Sequence, residues 1–229
     1  MRYILCGVLW ILALLFTLPT LWAEEKREVS FFADQTEVSF QDGILIKKYT
    51  GNVTALCEDM TLSAKRAVYY KTEEKIELVG SVCVKDTLKS IEADSITYWV
   101  EERKATASGR VLVQRKGQRL NSDRAVYLKV ENRIIALGNV RLVDLPEQIT
   151  VTGDRAEYNL ETEVAVISDH PRFVKIEKQE DENLIVTARQ MELHSKEKKV
   201  IATQDVHLNK KRITAVCGQM IYLQPEEKL

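Results

Sequence analysis

Ile91-Glu92-Ala93-Asp94-Ser95-Ile96-Thr97-Tyr98, followed after a charged turn by Ala107-Ser108-Gly109-Arg110-Val111-Leu112-Val113, decides how this chain of 229 residues is read. The first half ends on a tyrosine and the second turns on a glycine, and both recur. Gly51, Gly80, Gly109 and Gly138 stand 29 residues apart, and Tyr69, Tyr98 and Tyr127 keep the same interval. Tyr158 and Tyr222 continue the tyrosine column, with Leu193 between them, so six copies follow from one column. A weaker seventh starts at Phe31, where Val38 takes the tyrosine's place. A fixed period of this size marks a repeat architecture, and it takes precedence over element-by-element assignment.

Columns counted back from the tyrosine show what each copy conserves physically. Seven before it stand Phe31, Leu62, Ile91, Leu120, Val151, Val186 and Ala215, all apolar. Five before it stand Ala33, Ala64, Ala93, Ser122, Gly153, Ala188 and Cys217, all small. Four before it stand Asp34, Asp94, Asp123 and Asp154, with Lys65, Arg189 and Gly218 in the other copies. The alternation has the period of two expected of a strand with one buried face, but it changes phase next to the small residue. An extra residue at the Ala-Asp step, a β-bulge, would re-aim the strand so that both halves point inward.

Charged stretches after the tyrosine, such as Lys71 to Lys75 and Glu101 to Lys104, read as solvated turns. A second strand follows each, with Ile76, Leu78, Val82 and Val84 alternating in one copy and Ile134, Ala136, Val140 and Leu142 in another. The period lengthens only at the other turn, by Asp144 to Gln148 and by Glu177 to Asn183, whose proline and charges predict exposed loops. Two-strand units of about 29 residues, some seven of them, bury an inner face only by stacking. The predicted fold is all-β: an elongated open β-jelly-roll, a folded-over antiparallel sheet with two facing walls. A parallel β-helix is the alternative.

Before the repeats, Met1-Arg2 and the apolar run from Ile4 to Leu18, then Pro19 and Leu21-Trp22-Ala23, have the layout of a signal peptide. Residues 1–23 are therefore expected to be removed after Ala23, leaving 24–229 as a single domain that begins at Glu24. An uncleaved membrane anchor is the competing reading, because Ile4 to Trp22 is close to the ~20 residues that span a bilayer. Taking Arg2 from 33 Lys plus Arg against 34 Asp plus Glu leaves a net charge of −2, without the basic face that nucleic-acid binding needs. Cys57, Cys83 and Cys217 are an odd number in the mature chain and have neither a disulfide-framework nor a metal spacing.

No pattern for catalysis is found. His170, His194 and His207 are isolated, the in-register aspartates read as corner residues, and no nucleophile elbow or phosphate loop is present. The chain is read as a non-enzyme without metal or cofactor. Lys47-Lys48 and Lys210-Lys211-Arg212 are short enough to be solvated turns.

The register of Ile91-Glu92-Ala93-Asp94 with Tyr98 and Gly109-Arg110-Val111 resembles the repeat of the LptA/OstA family, and Gly51-Asn52-Val53 and Gly138-Asn139-Val140 match its common Gly-Asn-Val form. The resemblance spans about residues 29 to 223. It implies a periplasmic carrier of lipopolysaccharide between the inner and outer membranes, with LptC-like and LptD-like β-jelly-roll partners. Head-to-tail self-association is expected separately, from uncapped edges of the stack that can pair with another copy. The residues then expected to line a lane for acyl chains are Leu62, Ile76, Leu78, Val82, Ile91, Ile96, Tyr98, Val111, Val113, Leu120, Tyr127, Val140, Val151 and Tyr158. The same columns would exist in a simply packed core. A membrane-anchored LptC-like partner and a structural or carbohydrate-binding β-repeat protein of the envelope are the alternatives.

Overall fold

The computed structural model describes residues 30–41, 43–57, 60–85, 87, 89–115, 117–177, 183–194 and 196–223. Residues 1–23 and the expected cleavage after Ala23 lie outside them. Sixteen strands follow one another: β1 (Ser30–Phe32), β2 (Gln35–Gln41), β3 (Ile44–Cys57), β4 (Met60–Tyr70), β5 (Lys75–Lys85), β6 (Lys89–Trp99), β7 (Lys104–Arg115) and β8 (Gln118–Leu128). Then come β9 (Arg133–Asp144), β10 (Ile149–Asn159), β11 (Val164–Ser168), β12 (Arg172–Lys175), β13 (Leu184–Thr187), β14 (Gln190–His194), β15 (Lys199–Lys210) and β16 (Ile213–Leu223). They form one sheet in near-sequential order, and every pairing in it is antiparallel. This is the folded-over sheet, not the parallel β-helix.

Three pairs of short strands are single long strands interrupted midway. β1 and β2 both pair with β3, β11 and β12 both pair with β10, and β13 and β14 both pair with β15. Counted as units, the described residues form thirteen long strands. Each bends at the same height, which divides the sheet into a wall carrying the tyrosine column and an opposite wall carrying Leu62, Ile91, Leu120 and Val151.

The bend differs from the sequence expectation in one respect. The extra residue belongs to the glycine strand, not to the Ala-Asp strand. Between the pairs Asn121 with Arg141 and Arg124 with Leu137, β8 supplies Ser122 and Asp123 whereas β9 supplies Gly138, Asn139 and Val140. The same two-against-one step recurs along the sheet. Both residues of each step have positive φ: Gly80 and Ser81 at 87° and 48°, Gly109 and Arg110 at 75° and 47°, Gly138 and Asn139 at 72° and 49°. Two successive left-handed residues turn the strand sharply, and glycine tolerates the first without steric cost. The single opposing residue explains the change of phase: Ser122 and Ala125 of β8 are buried, whereas Asp123 and Arg124 between them are exposed.

The small column stands just inside this bend. Ala93 is buried and pairs with Val82, so Ala93→Leu is expected to destabilise the fold by about 1–3 kcal/mol through overpacking. An unchanged denaturant midpoint would show that this position is not crowded.

The outer rim of the tyrosine wall is built from the predicted turns. Lys75 pairs with Glu73 at 2.7 Å, Lys104 with Glu102 at 3.5 Å and Arg133 with Glu131 at 2.5 Å, one clasp per repeat. Two of these cations also cover outward aromatic rings, Lys75 over Tyr70 at 4.2 Å and Lys104 over Trp99 at 5.0 Å. Each such contact adds a modest electrostatic gain and shields ring surface from water.

Candidate functional site: an apolar trough between two walls

Inward side chains from both walls form one apolar cluster running from Val53 to Val206. Parity puts them there. On β9, Ile134, Ala136, Val140 and Leu142 are buried while Asn139 and Arg141 are exposed. All fourteen residues expected to line the lane belong to this cluster. Leu78, Val82, Ile91, Ile96, Val111, Val113, Leu120, Tyr127, Val140, Val151 and Tyr158 are buried, and Leu62, Ile76 and Tyr98 are half-buried and packed against them.

Burial changes along the molecule. At the β3–β6 end Tyr49, Leu62, Ile76 and Tyr98 keep part of their surface in water, whereas Leu120, Ile134, Tyr158, Phe173 and Leu193 are fully enclosed. Across the two walls, the rings of Phe173 and Tyr222 lie 5.1 Å apart. Beyond it, at the β16 edge, Ala215 and Cys217 are exposed again.

The corners carry a repeated polar clasp. The aspartate of one strand reaches the second corner residue of its neighbour: Asp34 accepts from Asn52 Nδ2 at 2.9 Å, Asp123 from Asn139 Nδ2 at 2.8 Å, Asp94 from Arg110 Nε at 3.1 Å, and Asp154 meets His170 Nδ1 at 2.9 Å. Arg189 and Asp205 make the same clasp with the charges exchanged, at 2.5 Å. The Arg110 guanidinium holds the Asp94 carboxyl below its usual range, and the Asp154 carboxylate raises the His170 imidazole. These groups are solvent-facing, as the corner reading of the aspartates expects, and they point away from the trough. No cluster of His, Cys, Asp and Glu suited to a metal ion occurs among the described residues. Cys83 and Cys217 are free thiols.

One titratable group has a different place from the one expected. Asp144, assigned from its loop to the surface, is only 1% exposed. It accepts hydrogen bonds from Gln118 Nε2 and from the backbone N–H of Glu147, both at 2.8 Å. Its parity with Val140 and Leu142 was the available signal: the strand continues its alternation into the insertion, so Asp144 faces inward at the mouth of the trough. Burial pushes its carboxyl from 3.8 up to about 6, against a smaller lowering by the Glu147 N–H. The folded state thus binds this proton more readily than the unfolded chain, and the stability it contributes is complete below the unfolded value and lost as pH rises through about 6. Asp144→Asn is expected to raise stability by about 1–3 kcal/mol above pH 7 and to match the parent below pH 4. Denaturant midpoints across pH test this, and a variant that is less stable at pH 7.5 would show that the charged form is well accommodated.

Continuous antiparallel pairing, a two-residue corner in each copy and an apolar interior that is part-exposed toward both edges define the class: an extended β-jelly-roll. Two family models match the chain. The model of LptA and the LptD N-terminal domain, lipopolysaccharide-transport proteins, covers residues 90–199. The model of lipopolysaccharide-assembly, LptC-related proteins covers residues 27–144, a little over half of the chain. The chain belongs to this lipopolysaccharide-transport family. Among solved structures it is similar to LptH from Pseudomonas aeruginosa, the LptA-homologous periplasmic component of the lipopolysaccharide transport device. The identity is 17% and the TM-score 0.38, over 44% of this chain and 76% of that one. No curated protein matches the chain.

Proposed function

We propose that the chain is a periplasmic carrier that takes lipopolysaccharide acyl chains into its apolar trough and passes them along a bridge of jelly-rolls toward the outer membrane. The carrying observation is the continuous apolar interior that is part-exposed at Tyr49, Leu62, Ile76 and Tyr98, where a lipid chain can replace water. Sugars and phosphates would stay outside, beside the rims. In this reading residues 1–23 are a signal peptide and 24–229 a single domain.

Both edges of the sheet suit end-to-end joining. Val38 and Phe40 on β2 and Ile213, Val216, Ile221 and Leu223 on β16 are exposed apolar side chains on edge strands. Edges of this kind recruit further strands. Because thirteen long strands is an odd number, β1–β2 and β16 run in the same direction, from the opposite wall to the tyrosine wall. A joint that keeps wall against wall therefore pairs β16 with the next protein's first strand in parallel. Such heterologous contacts build open chains.

A membrane-anchored, LptC-like role is a second reading, favoured by the LptC-related match over residues 27–144. The mass of the mature N-terminus separates the two: Glu24 in a soluble fraction supports the carrier, and retained Met1 in membranes supports the anchor. The carbohydrate-binding alternative is disfavoured, since the outward Tyr70 and Trp99 rings are occupied by Lys75 and Lys104.

Photoreactive residues at Tyr98, Val111 and Val140 are expected to capture lipopolysaccharide on illumination in cells, and the same residue at Arg110 or Arg141 is not. Equal capture from outward positions, or none from inward ones, would leave only a packed core. Removal of residues 213–229 is expected to abolish end-to-end association while capture at Tyr98 persists.

A further inference from the structure

We propose that Tyr222 and Phe173 form a gate across the trough, separating the lane of β4–β10 from the outlet at the β16 edge. The inference rests on the carrier reading and adds a closed point to it. Phe173, on β12 of the opposite wall, is buried, and Tyr222, on β16 of the tyrosine wall, reaches back to it with ring centroids 5.1 Å apart and planes tilted by 49°. Cross-strand pairing places them apart in the sheet: Phe173 pairs with Val186, Val186 with Leu208 and Leu208 with Ala215, so the Tyr222 ring crosses over the row that leads to its own strand.

The interior changes character on either side of this contact. Toward the lane, Val151 and Tyr158 are enclosed, and Val186, in the row beneath the crossing ring, is enclosed with them. Toward the edge, Leu208 is half-buried and Ala215 exposed. Described residues of the first insertion and at the start of the second are tied to neighbouring turns and strands. Ile176 N–H donates to Gln148 O at 2.8 Å, Leu145 N–H to Gly117 O at 3.0 Å, and Lys210 pairs with Glu177 at 3.5 Å, so the rim is tied together there. The Tyr222 phenol is raised first by burial and then by the charges of Glu147 and Glu177.

Lipid moving from the lane to a docked neighbour must part these rings. The movable leaf is Tyr222, because among the described residues β16 pairs with β15 alone and its segment from Ile213 to Gln219 is exposed throughout. Docking at β16 and opening of the trough then act on one strand, and a partner that reorients β16 biases the gate as any ligand biases a two-state element.

The test places a photoreactive residue in the full chain at Leu208, beyond the gate, or at Tyr98, before it, and reads lipopolysaccharide capture in cells. Tyr222→Ala and Phe173→Leu are expected to raise capture at Leu208 relative to Tyr98 by about threefold or more, and Tyr222→Phe to leave the ratio unchanged, since it keeps the ring. Capture at Tyr98 with a ratio that is the same in parent, Tyr222→Ala and Phe173→Leu overturns the gate and leaves the carrier intact. Absence of capture at Tyr98 in every variant overturns the carrier reading itself.

Discussion

Val140→Asp is expected to cost about 3–5 kcal/mol of stability at neutral pH and to end lipid capture along the lane. Val140 is 1% exposed, sits on β9 facing the opposite-wall interior, and pairs with Gly153 directly beside the bend. The substitution removes about 1.5–3 kcal/mol of valine burial and adds an unpaired carboxylate to an apolar interior. The side chain would enter the apolar cluster, where desolvation disfavours the charged form, so the loss should shrink as pH falls. Val140→Thr keeps the shape and introduces a hydroxyl alone, and it is expected to fold with a smaller loss and reduced capture. Chemical denaturation of both variants, with photocapture at Tyr98 as the lipid readout, checks the two effects separately. A Val140→Asp protein of parental stability would mean that the trough admits water at its centre.

Gly138→Val has the second-largest expected effect, about 2–4 kcal/mol, from two causes that can be separated. Gly138 has φ of 72°, where a β-branched residue is strained. A Cβ built on Gly138 would also overlap the Asp123 carboxylate, which folds over the corner to hold Asn139. Combining Gly138→Ala with Asp123→Ala should recover the overlap part and leave the strain, so the double variant should lose less than the sum of the two singles. Strict additivity would show that the aspartate exerts no crowding at the corner. The chain contains its own comparison. Where Asp169 stands in place of the glycine, with φ of 58°, the strand is interrupted between Ser168 and Arg172, whereas β15 runs unbroken through Gln204 and Asp205 at 65° and 51°, so a non-glycine residue can hold the corner at a cost in strain.

Much of the fold was legible because the repeat prints the same physical demand many times. A single Ala-Asp or Gly-Asn pair says little, but the apolar, small and aromatic columns, kept in register over several copies, specify two strands, two turns and an inner face. The turns, the inward tyrosines and the antiparallel stacking followed from that register. The position of the extra residue did not, because a phase change in one strand is equally well produced by an insertion in that strand or in its neighbour. Only the pairing of Asp123 against Gly138-Asn139 tells them apart.

Asp144 was misplaced for a related reason. Proline and charge in Asp144-Leu145-Pro146-Glu147-Gln148 describe the loop well, and Leu145 and Pro146 are indeed exposed, but the strand's alternation extends one residue further than composition suggests. Its partner Gln118 lies 26 residues away, at a distance where sequence offers no pairing rule.

The sequence by itself determined the repeat, the all-β class, the inward apolar columns and the family, since each depends on local alternation and on period. Tertiary structure alone decided where the trough is open and where it is shut. The columns that supply half-buried Tyr98 also supply fully enclosed Tyr158, and nothing local distinguishes them. Exposure depends on how far one wall stands from the other, and that distance is set by contacts between residues far apart in the chain, of which Phe173 with Tyr222 is the clearest.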